Sequence, residues 1–258
     1  MPFVPPPVFR TFLEETGEIA RFTGRFFAVF YKPRYEFKEF LRQCFYIGNK
    51  SFPLVGITAF IMGLVITIQS RPTLVEFGAE AWLPKMVSLS LVREIVPVIT
   101  ALICAGKIGS GIGAELGSMK VTEQIDAMEV SGTNPFKYLV VTRVLACTLM
   151  IPVLVVLADA VSMYGAYLGT NIKGVVSWDL FWNQVLDVMN YGDLIPSVLK
   201  TYFFGFAIGI IGCYKGYSTS KGTEGVGRSA NSAVVISSLI VFILDLVAVQ
   251  IADILELT

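Results

Sequence analysis

The chain has 258 residues, 54% of them hydrophobic and only 16% charged, with 20 basic and 20 acidic residues and a net charge of zero. A soluble domain is about a quarter charged, so this composition, with mean hydropathy +0.68, belongs to an integral membrane protein. It offers no global basic field for nucleic acid, and the absence of histidine excludes His-based triads, His-ligated metals and the Ser/His pair of an intramembrane protease.

The N-terminus, MPFVPPPVFR, is proline-rich and lacks the apolar core of a signal peptide, so none is expected. From Phe9 to Phe30, Phe12, Ile19, Phe22, Phe26 and Phe30 recur at helical spacing among Arg10, Glu14, Glu15, Glu18, Arg21 and Arg25. That amphipathic helix suits a membrane surface, with the core helix of a soluble domain as the alternative. After Pro33, the spacing of Phe37, Phe40, Leu41, Cys44 and Phe45 predicts a second surface-lying helix ending near Gly48.

Five apolar runs follow, at about residues 52–69, 86–105, 138–169, 194–213 and 233–254, each long enough to cross a bilayer. The third is too long for a simple crossing and is expected to protrude or bend at Pro152. Between them lie a polar loop, Asn171 to Asn190, with interface-type Trp178 and Trp182, and a Gly/Ser/Lys loop, Tyr214 to Ser232. The reading is a single all-α transmembrane domain over 1–258: N-terminal interfacial amphipathic helices, five transmembrane helices, and a cytoplasmic helix between the second and third. Lys and Arg set its orientation. Fifteen of the 20 fall before the first span or in the 2–3 and 4–5 connections, whereas the opposite loops hold Arg71, Lys85 and Lys173. The N-terminus is therefore expected in the cytoplasm and the C-terminus outside.

Arg93, Glu94, Asp159, Lys200 and Asp245 fall within the runs. Counted from the outer helix ends at 1.5 Å per residue, they share one layer roughly 9 to 15 Å deep, with Gln69 just above it. Arg93 and Glu94 lie about 100° apart on their helix and cannot both face one partner. Asp245 and Asp159 are candidate partners for Arg93. Intramembrane charges are costly and mark function by default. This layer reads as a structural ion-pair cluster, as a pocket for the headgroup of an amphipathic substrate, or as both, with Leu64, Ile68 and Phe77 beside the chains.

The second run ends in Gly106, Gly109, Gly111, Gly113 and Gly117, whose GxxxG spacings permit close helix approach. Glu115, Glu123, Asp126 and Glu129 then alternate with Met119, Ile125, Met128 and Val130. This segment is either a solvated connector or a coupling helix that enters a groove on a cytosolic ATPase. The chain itself has no phosphate-binding loop, because Gly106-Lys107 is followed by Ile108. ATP, if used, binds another subunit, and no cofactor is expected here. Cys44, Cys104, Cys147 and Cys213 form no CxxC and read as small apolar core residues.

The run LSLVREIVPVITALICAGKIGSGIGAELGSMKVTEQIDAMEV, with FILDLV around Asp245, resembles the MlaE/YrbE family of ABC permeases, the membrane subunits of MCE-type lipid transporters. The resemblance extends over most of the chain; the outer loop Asn171 to Asn190 is its weakest part. It implies a non-catalytic subunit of the inner membrane, paired with a second copy of itself. A cytosolic ABC ATPase dimer and a periplasmic MCE-domain oligomer would complete the machine. The cargo would be phospholipid or a related lipid moved between inner membrane and envelope, as in upkeep of outer-membrane lipid asymmetry. It also implies that Arg93 and Glu94 line the lipid cavity with Gln69 and Phe77, and that Glu115 to Glu129 is the coupling helix. Two other readings compete. An ion-coupled secondary transporter would use the charge layer, although no internal repeat supports it. An intramembrane lipid-modifying enzyme would use the acids and Arg93, although no activated nucleophile is visible.

Overall fold

The computed structural model describes residues 7–31, 36–172, 174, 176–220 and 222–254, with side chains from residue 13 onward. Lys32, Arg34, Lys173 and Lys221 therefore lie outside the described residues, as do the side chains of Arg10 and Phe12. Every regular element among the described residues is helical. In chain order these are α1 (Pro7–Phe30), α2 (Phe37–Glu76), a 3-10 turn (Glu80–Trp82), α3 (Leu83–Ser90), α4 (Val96–Cys104), α5 (Ser110–Val121), α6 (Gln124–Val130), α7 (Thr142–Asn171), α8 (Trp178–Val188), α9 (Tyr191–Tyr217) and α10 (Thr223–Ile254). Wider π-helical turns at Leu91–Ile95 (π1), Ala105–Gly109 (π2) and Phe136–Val141 (π3) join α3 to α4, α4 to α5, and lead into α7. Five helical segments are long and apolar enough to cross a membrane: Phe37–Glu76, Glu80–Val121, Phe136–Asn171, Tyr191–Tyr217 and Thr223–Ile254. The protein is a multi-pass membrane protein of the all-α class.

The elements differ from the sequence expectation where packing overrides a local breaker. The second surface helix does not end at Gly48 but runs unbroken into the first span as the 40-residue α2. Gly48 is buried against Met150 of α7, so it serves as a packing site rather than a stop. Pro53 lies inside the helix and lacks an N–H, which weakens the preceding turn. The ammonium of Lys107 donates to the Lys50 carbonyl in that turn. The long third run is, as its length implied, a long helix, α7, with Pro152 inside it. The expected polar loop at Asn171 to Asn190 contains α8, capped by the Ser177 hydroxyl, which accepts from the Leu180 N–H at 3.3 Å. Phe181 and Val185 are buried beneath it, and Trp178 stacks edge-on against Tyr167 at 4.8 Å. The expected loop from Tyr214 to Ser232 shrinks to a short turn, because α9 extends to Tyr217 and α10 begins at Thr223.

Helices approach closely where glycines remove the Cβ. A Cβ on Gly205 of α9 would lie 2.6 Å from the Cys147 carbonyl oxygen of α7, and one on Gly113 of α5 would lie 3.3 Å from the Ala230 Cα of α10. Gly109, Gly113 and Gly117 thus form a packing stripe, matched by Gly209, Gly212 and Gly216 on α9, whereas Gly106 and Gly111 face open space. α7 is the hub, packed on α2 and α9, while α10 rests on α5 and α9 and leaves Leu239, Phe242 and Leu246 exposed. α1 lies against the bundle: Phe26 is buried, Phe22 packs on Phe136 at 5.0 Å, and Tyr214 donates to Glu18 at 2.6 Å.

Candidate functional site

Pro97 has no N–H to return to the Arg93 carbonyl, so the helix ladder must adjust one turn earlier. It does so by widening to π1, where the Val96 N–H reaches the Leu91 carbonyl. Such bulges recur at functional sites because they turn side chains out of helical register. Here they aim Arg93 and Glu94 at different partners. Glu94 accepts from the Lys200 ammonium of α9 at 2.6 Å. Lys200 also donates to Asp245 of α10 at 2.8 Å. Arg93 pairs through Nε with Asp193, in the first turn of α9, at 3.4 Å. The Ser197 hydroxyl locks the same stretch by donating to the Val92 carbonyl at 2.6 Å.

These groups border a cavity of about 310 Å³ between the second, fourth and fifth spans, with Arg93, Glu94, Asp193, Ser197, Lys200 and Asp253 in its wall. Lys200 is only 6% exposed, Asp245 19% and Glu94 44%. The buried ammonium is therefore neutralised from behind by Asp245, while Glu94 reaches the cavity. The Arg93 pair is long, and 32% of its side chain stays exposed. The wall thus presents a guanidinium fork beside carboxylates, an arrangement that can hold a phosphate and an adjacent amine.

The expected layer is only partly one site. Glu94, Lys200 and Asp245 meet. Neither Asp245 nor Asp159 partners Arg93. Asp245 is taken by Lys200, and Asp159 lies elsewhere on α7, its Oδ1 buried without a hydrogen-bond partner among the described residues. Asp193 was missed because it sits one residue before the apolar run that marked the fourth span. Ser197 carries no signal beyond helical register, whereas Asp253 is a charge one residue from the end of the fifth run that was not counted in the layer. Gln69, Leu64, Ile68 and Phe77 do not line this cavity. Gln69, Ile68 and Phe77 are exposed on α2 and just past its end, and Leu64 is half-buried.

At the far end, the acidic segment divides. Glu115 belongs to the membrane helix α5 and pairs with the buried Arg143 of α7 at 2.8 Å, so it cannot be part of the connector. Glu123, at φ 57°, turns the chain into α6. Gly132, at φ 81°, closes that helix, with the Thr133 N–H returned to the Met128 carbonyl. Ile125, expected to insert into a partner, is instead 1% exposed and anchors α6 to its own bundle. Met119 and Met128 also pack partly inward. Glu123, Asp126 and Glu129 face solvent, Asp126 pairing with Lys120 at 2.9 Å. Val130, 91% exposed, is the apolar group that α6 does present.

Residues 40–251 match the family model described as Permease MlaE. The chain is similar to a probable ABC transporter permease protein of Rickettsia typhi, 38% identical over 90% of both chains. It is 39% identical to a probable ABC transporter permease protein of Synechocystis, over 86% of this chain and 84% of the relative. It is also 33% identical to the intermembrane phospholipid transport system permease protein MlaE of Haemophilus influenzae, over 83% of this chain and 82% of that protein.

Proposed function

The chain belongs to the MlaE permease family, and from that premise we propose that it is the non-catalytic membrane subunit of an ABC transporter that moves phospholipid between the inner membrane and the envelope. The observation that carries the lipid reading is the cavity walled by Arg93, Glu94 and Lys200. It has room for a headgroup but not for two acyl chains, and it opens beside apolar helix faces. A second copy of the chain would complete it. The exposed apolar faces of α10 and of α2, including Ile68, support that pairing, and across a twofold axis Gln69 and Phe77 would reach the acyl region.

The solvent-facing acids of α6 and its exposed Val130 fit a basic, partly apolar groove on a cytosolic ATPase dimer, which supplies the ATP chemistry this chain lacks. The bias of basic residues supports an orientation with α6 in the cytoplasm and the Arg93 cavity toward the periplasm, where an MCE-domain oligomer would receive or deliver lipid. The test is reconstitution with the ATPase in liposomes, following phospholipid transfer with and without ATP. ATP-dependent transfer is expected. Transfer by the chain alone under an ion gradient would instead identify a secondary transporter, and chemical conversion of the lipid an enzyme. A cysteine at Gln69 should cross-link two copies; failure to yield any dimer would overturn the twofold cavity.

A further inference from the structure

The Arg93 cavity uses only one end of the second membrane helix. About 20 Å farther along the axis, at 1.5 Å per residue, lies Lys107. It sits in π2, the second place where this helix widens. There a separate crevice of about 170 Å³ opens between α2 and the π2–α5 stretch. Its wall includes Tyr46 and Lys50 from α2, and Lys107, Ile108 and Glu115 from the second span. The two lysines converge: Lys107 donates to the Lys50 carbonyl, and the Lys50 ammonium lies 4.0 Å from the centre of the Tyr46 ring.

The charge balance here is opposite to that of the first cavity. Glu115 is the acid in this wall, and Arg143 already holds it at 2.8 Å. Two ammonium groups are left in excess, above a floor that includes Ile47, Ile108 and Ile112, all buried. Exposed apolar residues of α2, Leu54 and Ile57, continue from this point toward the middle of the span. A cationic mouth, an apolar floor and an apolar track into the bilayer fit an amphiphile with a phosphate head. Basic pockets between membrane helices take anionic lipid headgroups for this reason.

We propose that Lys50 and Lys107 form a second lipid site, distinct from the Arg93 cavity, which binds the phosphate of an anionic phospholipid. Assigning that lipid to the cytoplasmic leaflet rests on the orientation proposed above; the lysine–phosphate contact does not. The site holds a lipid at the point where α2 passes Pro53 and where the second span continues toward α6, so its occupancy bears on both.

The test uses the full chain in complex with its ATPase, with p-benzoylphenylalanine replacing Tyr46 as a photo-cross-linker. Mixed micelles carry phosphatidylglycerol or phosphatidylcholine, and a third arm adds millimolar inorganic phosphate. Cross-linking should favour phosphatidylglycerol, persist in Arg93→Gln, and fall about fivefold in Lys50→Gln and further in Lys50→Gln/Lys107→Gln, the contribution expected for each lysine near a charged lipid surface. Because Lys107 also contacts the α2 backbone, the double variant can fail to assemble. Lys50→Gln alone then decides, since the described contact of its ammonium is with the Tyr46 ring. Equal cross-linking to both lipids, or no loss in Lys50→Gln, overturns the proposal. Competition by inorganic phosphate as effective as that by phosphatidylglycerol overturns the lipid assignment in favour of a soluble phosphate compound. Loss of the signal in Arg93→Gln would merge the two sites and overturn their separation. Inverted membrane topology would change only the leaflet.

Discussion

The two ends of the second membrane helix manage charge in opposite ways. At one end, π1 sends Glu94 to a buried lysine that a second carboxylate, Asp245, holds from behind. At the other, π2 places Lys107 beside Lys50, and the acid of that region is drawn off by Arg143. The first end buries its cation and turns acid toward the cavity. The second buries Arg143 and leaves its lysines exposed. A helix can support both because a π turn alters register locally without ending the ladder, so each end faces its neighbours independently. The ion pairs therefore do different work. At the first end they form a wall of three spans; at the second they clear negative charge from a crevice.

If this contrast holds, the largest effect belongs to Lys200. Lys200→Met strands Glu94 and the largely buried Asp245, and should cost about 3–5 kcal/mol, read as a large fall in the thermal midpoint of the purified protein or loss of expression. Adding Asp245→Leu should restore most of it, because Glu94 is half exposed and can hydrate. No recovery would mean that the acids do not depend on Lys200. Arg143→Met should cost less, about 1–3 kcal/mol, since Glu115 is 47% exposed and keeps water once its partner is gone. A loss as large as that of Lys200→Met would erase the proposed difference between the ends.

Changes on α6 should spare the fold and touch assembly. Glu123→Lys and Val130→Asp are each expected to weaken co-purification with the ATPase by about tenfold, roughly 1.4 kcal/mol, with the thermal midpoint of the isolated chain unchanged. Ile125→Asp should instead unfold α6, since that side chain is buried in its own bundle. Undiminished assembly in Glu123→Lys and Val130→Asp would make α6 a solvated connector. The smallest effect on stability is expected for Arg93→Lys, within about 0.5 kcal/mol, because its ion pair is long and partly exposed. That variant keeps the charge but loses the planar fork, so it should assemble normally, retain less phospholipid and transport more slowly. Parental lipid content and transport would show that Arg93 is no headgroup ligand and that the cluster at this end is structural.

Much of this was legible before any coordinates. Five crossings follow from apolar runs, because a bilayer imposes a length that composition alone can meet. That the charges within the spans need partners was legible too, since an unpaired charge in hydrocarbon is too costly to leave, but the pairing of Glu94 and Asp245 through Lys200 was not. Helix ends were less legible. Gly48 read as a helix end, yet α2 passes through it and through Pro53, because Met150 fills the space beside the glycine and Lys107 serves a carbonyl near the proline. α8 was hidden because its aromatic residues read equally well as an interface loop. The roles within the acidic segment were hidden as well. Alternating acids and apolar residues indicate an amphipathic helix but not which surface receives its apolar side, and Ile125 turned inward.

By itself, then, the order of residues determined what the solvent demands: a membrane-embedded all-α chain, its apolar spans, the depth of its charges, and the glycine stripe that lets helices touch. These are one-dimensional consequences of hydrophobicity, helical rise and side-chain size. Which charge answers which was decided only by tertiary structure. Arg93 found Asp193 rather than Asp245 or Asp159, and Arg143 found Glu115 across two spans. Azimuth decides such pairings. A residue's depth is counted along its own helix, but the direction it faces depends on how neighbouring helices rotate against one another. Here glycine contacts and two π turns set that rotation.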